Sequence, residues 1–209
     1  MATFKQLMKA FGIVTVMNAR IYSLNEGKLY VGNDAALTPS DFTYTGEVLD
    51  TLKIANLTQE GPTKTVTGGQ YANPLIKYGK TMTCEMQDAL GRADTLVRFF
   101  GCEYVDTEGD GRVSVSDKFP GAFAIEGETF FIDQKTGDKV TVYIFIPQFI
   151  PDSILTLTQD AEGDATVFDL NGTVSVTNIA DTAEGQARSI FYEIKEKPWF
   201  GSLPTTPTE

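Results

Sequence analysis

The sequence predicts a mainly β protein, a β-sandwich or barrel-like fold with one flanking helix over about 88–100 and a short N-terminal helix. Three observations predict it. Residues 81–87 alternate strictly, with Met82, Cys84 and Met86 on one face and Thr81, Thr83, Glu85 and Gln87 on the other, the pattern of a half-buried strand. Residues 140–146 are apolar or aromatic at nearly every position, as a strand covered on both faces would be, so something must cover the outer side. Helical spacing occurs in two places only, near Phe4–Phe11 and near Leu90–Phe100.

In chain order, Phe4, Leu7, Met8 and Phe11 fall at i, i+3, i+4 and i+7 and predict a short helix closed by Gly12. Strand signals follow in Val14, Val16 and 21–24, before the turn-like Asn25-Glu26-Gly27, and again over 51–58. Residues 59–74 contain Gly61-Pro62, Gly68-Gly69 and Asn73-Pro74 and little apolar periodicity, so they read as a long loop or an extended hairpin arm. Asp88 is the expected N-cap of a helix carrying Leu90, Ala93, Leu96, Val97 and Phe100, ended by Gly101. Strands are expected over 112–116 and 122–125, then a hairpin from 129–132 through 135–138 into 140–146. An antiparallel pair of 153–159 with 166–176 and a last strand over 189–194 complete the β elements. Residues 198–209, with three prolines, predict an extended C-terminal arm.

The 209 residues suffice for one sizeable core, and the apolar residues are spread evenly, so a single domain spanning 1–209 is expected. Apolar runs are too short for a membrane-spanning helix, and the N-terminus lacks the apolar stretch of a secretory signal, which predicts assembly in a cytoplasm and no membrane insertion. Cys84 and Cys102 are expected to be buried free thiols. A net charge of −11 disfavours a phosphate-gripping surface and keeps the protein soluble.

With no histidine, the commonest general base and most zinc or iron sites are excluded. No glycine loop has the context of a phosphate cradle. Glu126 with Glu128, and Asp160 with Glu162, read as solvated acids in turn-like segments. No catalytic residue and no cofactor is expected. Residues 106–117 place oxygen ligands at positions 1, 3, 5, 9 and 12 with Gly111 at 6, as calcium loops do. Against that, position 3 is Glu108, position 12 is Asp117, and 118–121 cannot continue as a helix. The competing reading is a polar β-turn between Tyr104-Val105 and 113–115.

Two stretches resemble a known family. Residues 64–80, Lys-Thr-Val-Thr-Gly-Gly-Gln-Tyr-Ala-Asn-Pro-Leu-Ile-Lys-Tyr-Gly-Lys, with the alternating strand that follows to Leu90, look like the loop, strand and helix start of the tail tube proteins of tailed bacteriophages. Residues 143–152, with 155–157 and 162–170, are similar to that family's C-terminal strand pair. Segments 31–47 and 102–128 fall outside the pattern. The resemblance implies a sandwich-like barrel whose copies, six in the family, join into a ring around an inner β-barrel. Rings would stack through the 59–74 loop, with Pro62, Lys64, Gly68, Gly69, Gln70, Tyr71 and Asn73 as stacking candidates. Phe4, Leu7, Met8, Phe11, Tyr143 and Phe145 are the apolar candidates for contacts between subunits. Ring closure would use up sheet edges and account for the doubly apolar strand 140–146. The implied partners are other copies, tape measure and tail terminator proteins, and DNA passing without specific binding down an acidic lumen in the virion tail. The competing class is a β-sandwich binding module, such as a capsid decoration or receptor-contacting protein.

Overall fold

The computed structural model describes residues 12–13, 17–30, 36–50, 52–60, 63–65, 75–77, 80–88, 92–132, 136–152, 168–180 and 187–201. The expected N-terminal helix, the expected strand over 153–159 and the tail beyond 201 lie outside them. Among the described residues, the chain order begins β1 (Gly12–Ile13), β2 (Met17–Leu24), β3 (Phe42–Leu49), β4 (Leu52–Glu60), β5 (Thr63–Thr65), β6 (Leu75–Lys77) and β7 (Thr81–Asp88). It continues through the helix α1 (Ala93–Phe100), then β8 (Glu103–Val105), β9 (Arg112–Ser114), β10 (Phe123–Ile132) and β11 (Lys139–Pro151). Last come β12 (Phe168–Asp169), β13 (Gly172–Val174), β14 (Thr177–Ala180), β15 (Ala187–Ile190) and β16 (Glu193–Lys195).

Ten strands form one antiparallel sheet. From one end it runs β4, β7, then β12 and β13 end to end, β11, β10, β2 and β3, with β16 on the free edge of β11 and β1 on that of β10. The end strands β3 and β4 are consecutive in sequence, joined only by Asp50 and Thr51. Three residue steps reach about 10 Å at most, so the two ends of the ladder meet at this corner and the sheet curls towards a barrel. Arg92 fastens the corner: its guanidinium donates to the Val48 carbonyl at 3.1 Å and to both carboxylate oxygens of Asp50 at 2.9 and 3.0 Å.

The alternating strand forms as expected. Met82, Cys84 and Met86 are each 2% exposed, whereas Thr81, Thr83 and Glu85 face solvent. Inside the curl they meet Ile21, Leu49 and the Phe99, Phe123 and Phe149 rings, whose centroids lie 5.0 to 5.7 Å apart. The expected segments 122–125 and 129–132 are one continuous strand, β10, paired with β11 from Ile132↔Lys139 to Phe123↔Phe149. Pro147, which cannot donate to a ladder, sits where that register shifts, in the bulge between the Ile125 and Phe123 pairs.

Three expectations are corrected. The helix starts at Ala93, not after Asp88: Asp88 is held extended by pairing with Leu52 on one side and Phe168 on the other. The expected strand 189–194 is two strands. β15 pairs with β14, and the chain turns at Phe191-Tyr192 so that β16 can join β11. The second side of 140–146 is covered by this chain itself: Ile144 and Ile146 face the interior of the curl, while Phe145 is packed under Ile179 and Trp199. Ring closure is therefore not needed to explain that strand. β3 overlaps the end of segment 31–47 and runs on to Leu49, a stretch in which no strand was expected.

Gly101 ends α1 in the left-handed region, φ 67°, and a Cβ there would meet the Lys118 carbonyl. Gly101→Ala is expected to cost roughly 2 kcal/mol, from the left-handed backbone plus displacement of 118–120, read as a lowered urea midpoint.

Candidate assembly surfaces

Of the segment 59–74, only 59–60 and 63–65 are described. The β4–β7 ladder runs to Glu60↔Thr81, and β5 and β6 pair with each other from Thr63↔Lys77 to Thr65↔Leu75 as a separate two-stranded ladder. Lys64 lies in the arm opposite Ile76. Pro62, Gly68, Gly69, Gln70, Tyr71 and Asn73 lie outside the described residues, as do Phe4, Leu7, Met8 and Phe11. β3 and β4 pair on one side only among the described residues, which leaves two sheet edges of eight and nine residues.

Phe145 is 1% exposed and stacks on Trp199 with ring centroids 4.2 Å apart, so its side chain is used inside the subunit. Tyr143 is half-buried, and its phenol pKa is pushed up by burial and by Glu128 and Glu126.

Glu126 corrects the reading of it as a solvated turn acid. It is fully buried in the middle of β10. Its carboxylate accepts the backbone N–H groups of Trp199 and Phe200, and burial pushes its pKa up to about 7 against the opposing pull of those bonds, Arg20 and Lys195. Arg20 is its register partner on β2, yet Glu126 Oε2 and the Arg20 Nε and Nη1 atoms are buried without a hydrogen bond. Phe200 stacks on Tyr22 at 3.5 Å, and Phe42 meets both Trp199 and Phe200 edge-on. The C-terminal segment is thus latched across the outer face of the sheet. Sequence reading missed Trp199 and Phe200 because it treated 198–209 as one extended arm. The signal was there in the chain's single tryptophan beside a phenylalanine.

Residues 106–117 form the β-turn. β8 and β9 pair from Glu103↔Ser114 to Val105↔Arg112, Gly109 is left-handed at φ 82°, and Asp110 N–H donates to the Thr107 carbonyl at 2.8 Å. This hairpin, α1 and 118–121 surround an open groove of about 700 Å³. Apolar side chains crowd this region in the open: Phe119 is 87% exposed, Val115 72%, and Tyr104 and Val113 45% each. Cys84 and Cys102 are buried free thiols, with the Cys84 pKa pushed up to about 12 by burial. No helix among the described residues is long and apolar enough to cross a membrane.

No curated protein matches the chain. Residues 107–190 match the model of the YomU/Tube protein family, a stretch that runs from the β8–β9 turn through the buried β10–β11 hairpin to the end of β15 and leaves the β4–β7 arm outside it.

Proposed function

We infer that the chain is the repeating subunit of a phage tail tube, a structural virion protein whose function is its assembly. The observation that carries this is the match of 107–190 to a tube family, which includes the β10–β11 hairpin and all of the strand-pair stretch, 143–170, that resembles tail tube proteins. The geometry supports it. The curled sheet offers edges at β3 and β4 that are unpaired among the described residues to neighbours in a ring, and the β5–β6 hairpin arm offers a contact by which one ring reaches the next. Copies join as rings, hexameric as the resemblance implies, and stack into a conduit for DNA ejection that ends against tape measure and terminator proteins. The unit that repeats is the whole chain as one domain, built in the host cytoplasm and carried in the virion tail. The solvent face of β7, Thr81, Thr83 and Glu85, bears hydroxyls and a carboxylate and suits a wall along which phosphates slide without sticking. No chemistry of its own is assigned to the chain.

Concentrating the purified protein is expected to give rings or hollow tubes in negative-stain micrographs. Deleting 62–73 should abolish stacking while the β-rich circular dichroism spectrum survives. A chain that remains monomeric at every concentration and binds capsids instead overturns the reading.

A further inference from the structure

The groove beside α1 is an exposed apolar feature that the fold does not explain. Its floor and walls are Val97 of α1, Tyr104 and Val105 of β8, and Phe119-Pro120. Exposed apolar groups gathered in one place on a soluble chain signal a contact surface. The nearby charge is lopsided. Arg98, Arg112 and Lys118 are each occupied, by Glu47, Asp110 and Glu103 respectively. Asp94, which lines the groove, and the exposed Asp106 and Glu108 of the β8–β9 turn have no cationic partner among the described residues. An occupant should therefore be apolar on one face and basic beside it.

We propose that the groove receives the N-terminal segment, residues 1–11, of a neighbouring copy of the chain. That segment carries Phe4, Leu7, Met8 and Phe11 at helical spacing, with Lys5 and Lys9 four residues apart and no acid. Reach decides which copy supplies it. The segment joins β1, where Gly12 pairs with Ile132 at the far end of β10, whereas the groove adjoins the other end, before Phe123. The length of β10 between them is about 30 Å, and eleven helical residues span only about 16 Å. A helix with this stripe cannot reach the groove of its own chain, but it can enter one offered by an adjacent subunit. The inference rests on the self-assembly reading and adds a second contact between copies, independent of strand edges.

The test uses two full-length variants with different tags, Leu7→Cys and Phe119→Cys, mixed and treated with a short bismaleimide. The native Cys84 and Cys102, at 2% and 3% exposure, stay unreactive. Phe119 is exposed enough for its replacement to leave the fold intact, which circular dichroism checks. The expected product carries both tags, and Phe119→Asp should raise the concentration needed for assembly at least tenfold. Assembly without the two-tag product, or with Phe119→Asp unaffected, overturns the proposal and leaves the tube reading standing. In a chain carrying both Leu7→Cys and Phe119→Cys, a cross-link formed only within single chains also overturns it. Neither assembly nor cross-link overturns both.

Discussion

Trp199→Ala is expected to cost about 3–5 kcal/mol of folding stability, the range for removing a large buried aromatic. Trp199 is 8% exposed, and it stacks on Phe145, meets Phe42 and Phe200 edge-on and gives its backbone N–H to Glu126. Truncating it exposes the outer side of β11 and loosens the neighbouring Phe200–Tyr22 stack, so the loss is cooperative. Circular dichroism should follow the urea titration, because the substitution removes the chain's only tryptophan. The midpoint should fall with little change in slope. Trp199→Phe keeps a ring over Phe145 and should recover at least half of the loss. A cost below about 1 kcal/mol for Trp199→Ala would mean that the latch contributes nothing to the fold.

Why one residue carries so much follows from the strand beneath it. The run 140–146 announced in the sequence that both of its faces are covered, but periodicity does not say what covers them. The covering group lies more than fifty residues away, in a tail whose prolines and threonines suggest a free arm. Long-range closure of this kind has no local signature, because it depends on where β16 joins β11 and not on the composition of 196–201.

Elements whose signal is local were legible. The alternation of 81–87 specifies a half-buried strand whatever it pairs with, and Gly101 marks a helix end because only a left-handed residue fits there. The start of α1 was misread because Asp88 makes a good cap in isolation, while strands on both sides keep it extended. β3 escaped because Phe42–Leu49 mixes Thr, Gly and Glu with apolar residues. As an end strand with neighbours on one side, it needs no clean alternation. Glu126 was misjudged for a related reason: its neighbours Gly127 and Glu128 look turn-like, and only the continuous ladder from Ile125 to Thr129 shows a buried strand interior. Of the assembly surfaces, the stem of the arm was legible as one of two alternatives. The groove was not, since it arises from three segments that meet only in the fold.

Glu126 makes stability depend on pH in a direction opposite to that of ordinary salt-bridged acids. Burial raises its pKa from 4.5 to about 7, so between those values the folded chain holds a proton that the unfolded chain has released. Stability contributed by this group is full below about pH 4.5, falls as pH rises, and levels off above about 7, a change of about 3 kcal/mol. Arg20 from β2 and Lys195 from β16 oppose the shift, and Tyr22 and Tyr143 face the same site. Asp41 behaves in the opposite sense. Its pKa is lowered, chiefly by the bond from Lys28, so its contribution is lost only in acid, below the window of Glu126. Glu126→Gln keeps an acceptor for the Trp199 and Phe200 N–H groups and removes the titration. The variant should match the parent near pH 5 and exceed it by about 3 kcal/mol near pH 8, measured by urea unfolding across the range. A difference that stays constant with pH would mean that Glu126 does not take up a proton on folding. If the difference grows as expected, the cost of burying the ionised carboxyl outweighs the N–H bonds from Trp199 and Phe200, which by themselves favour the charged form.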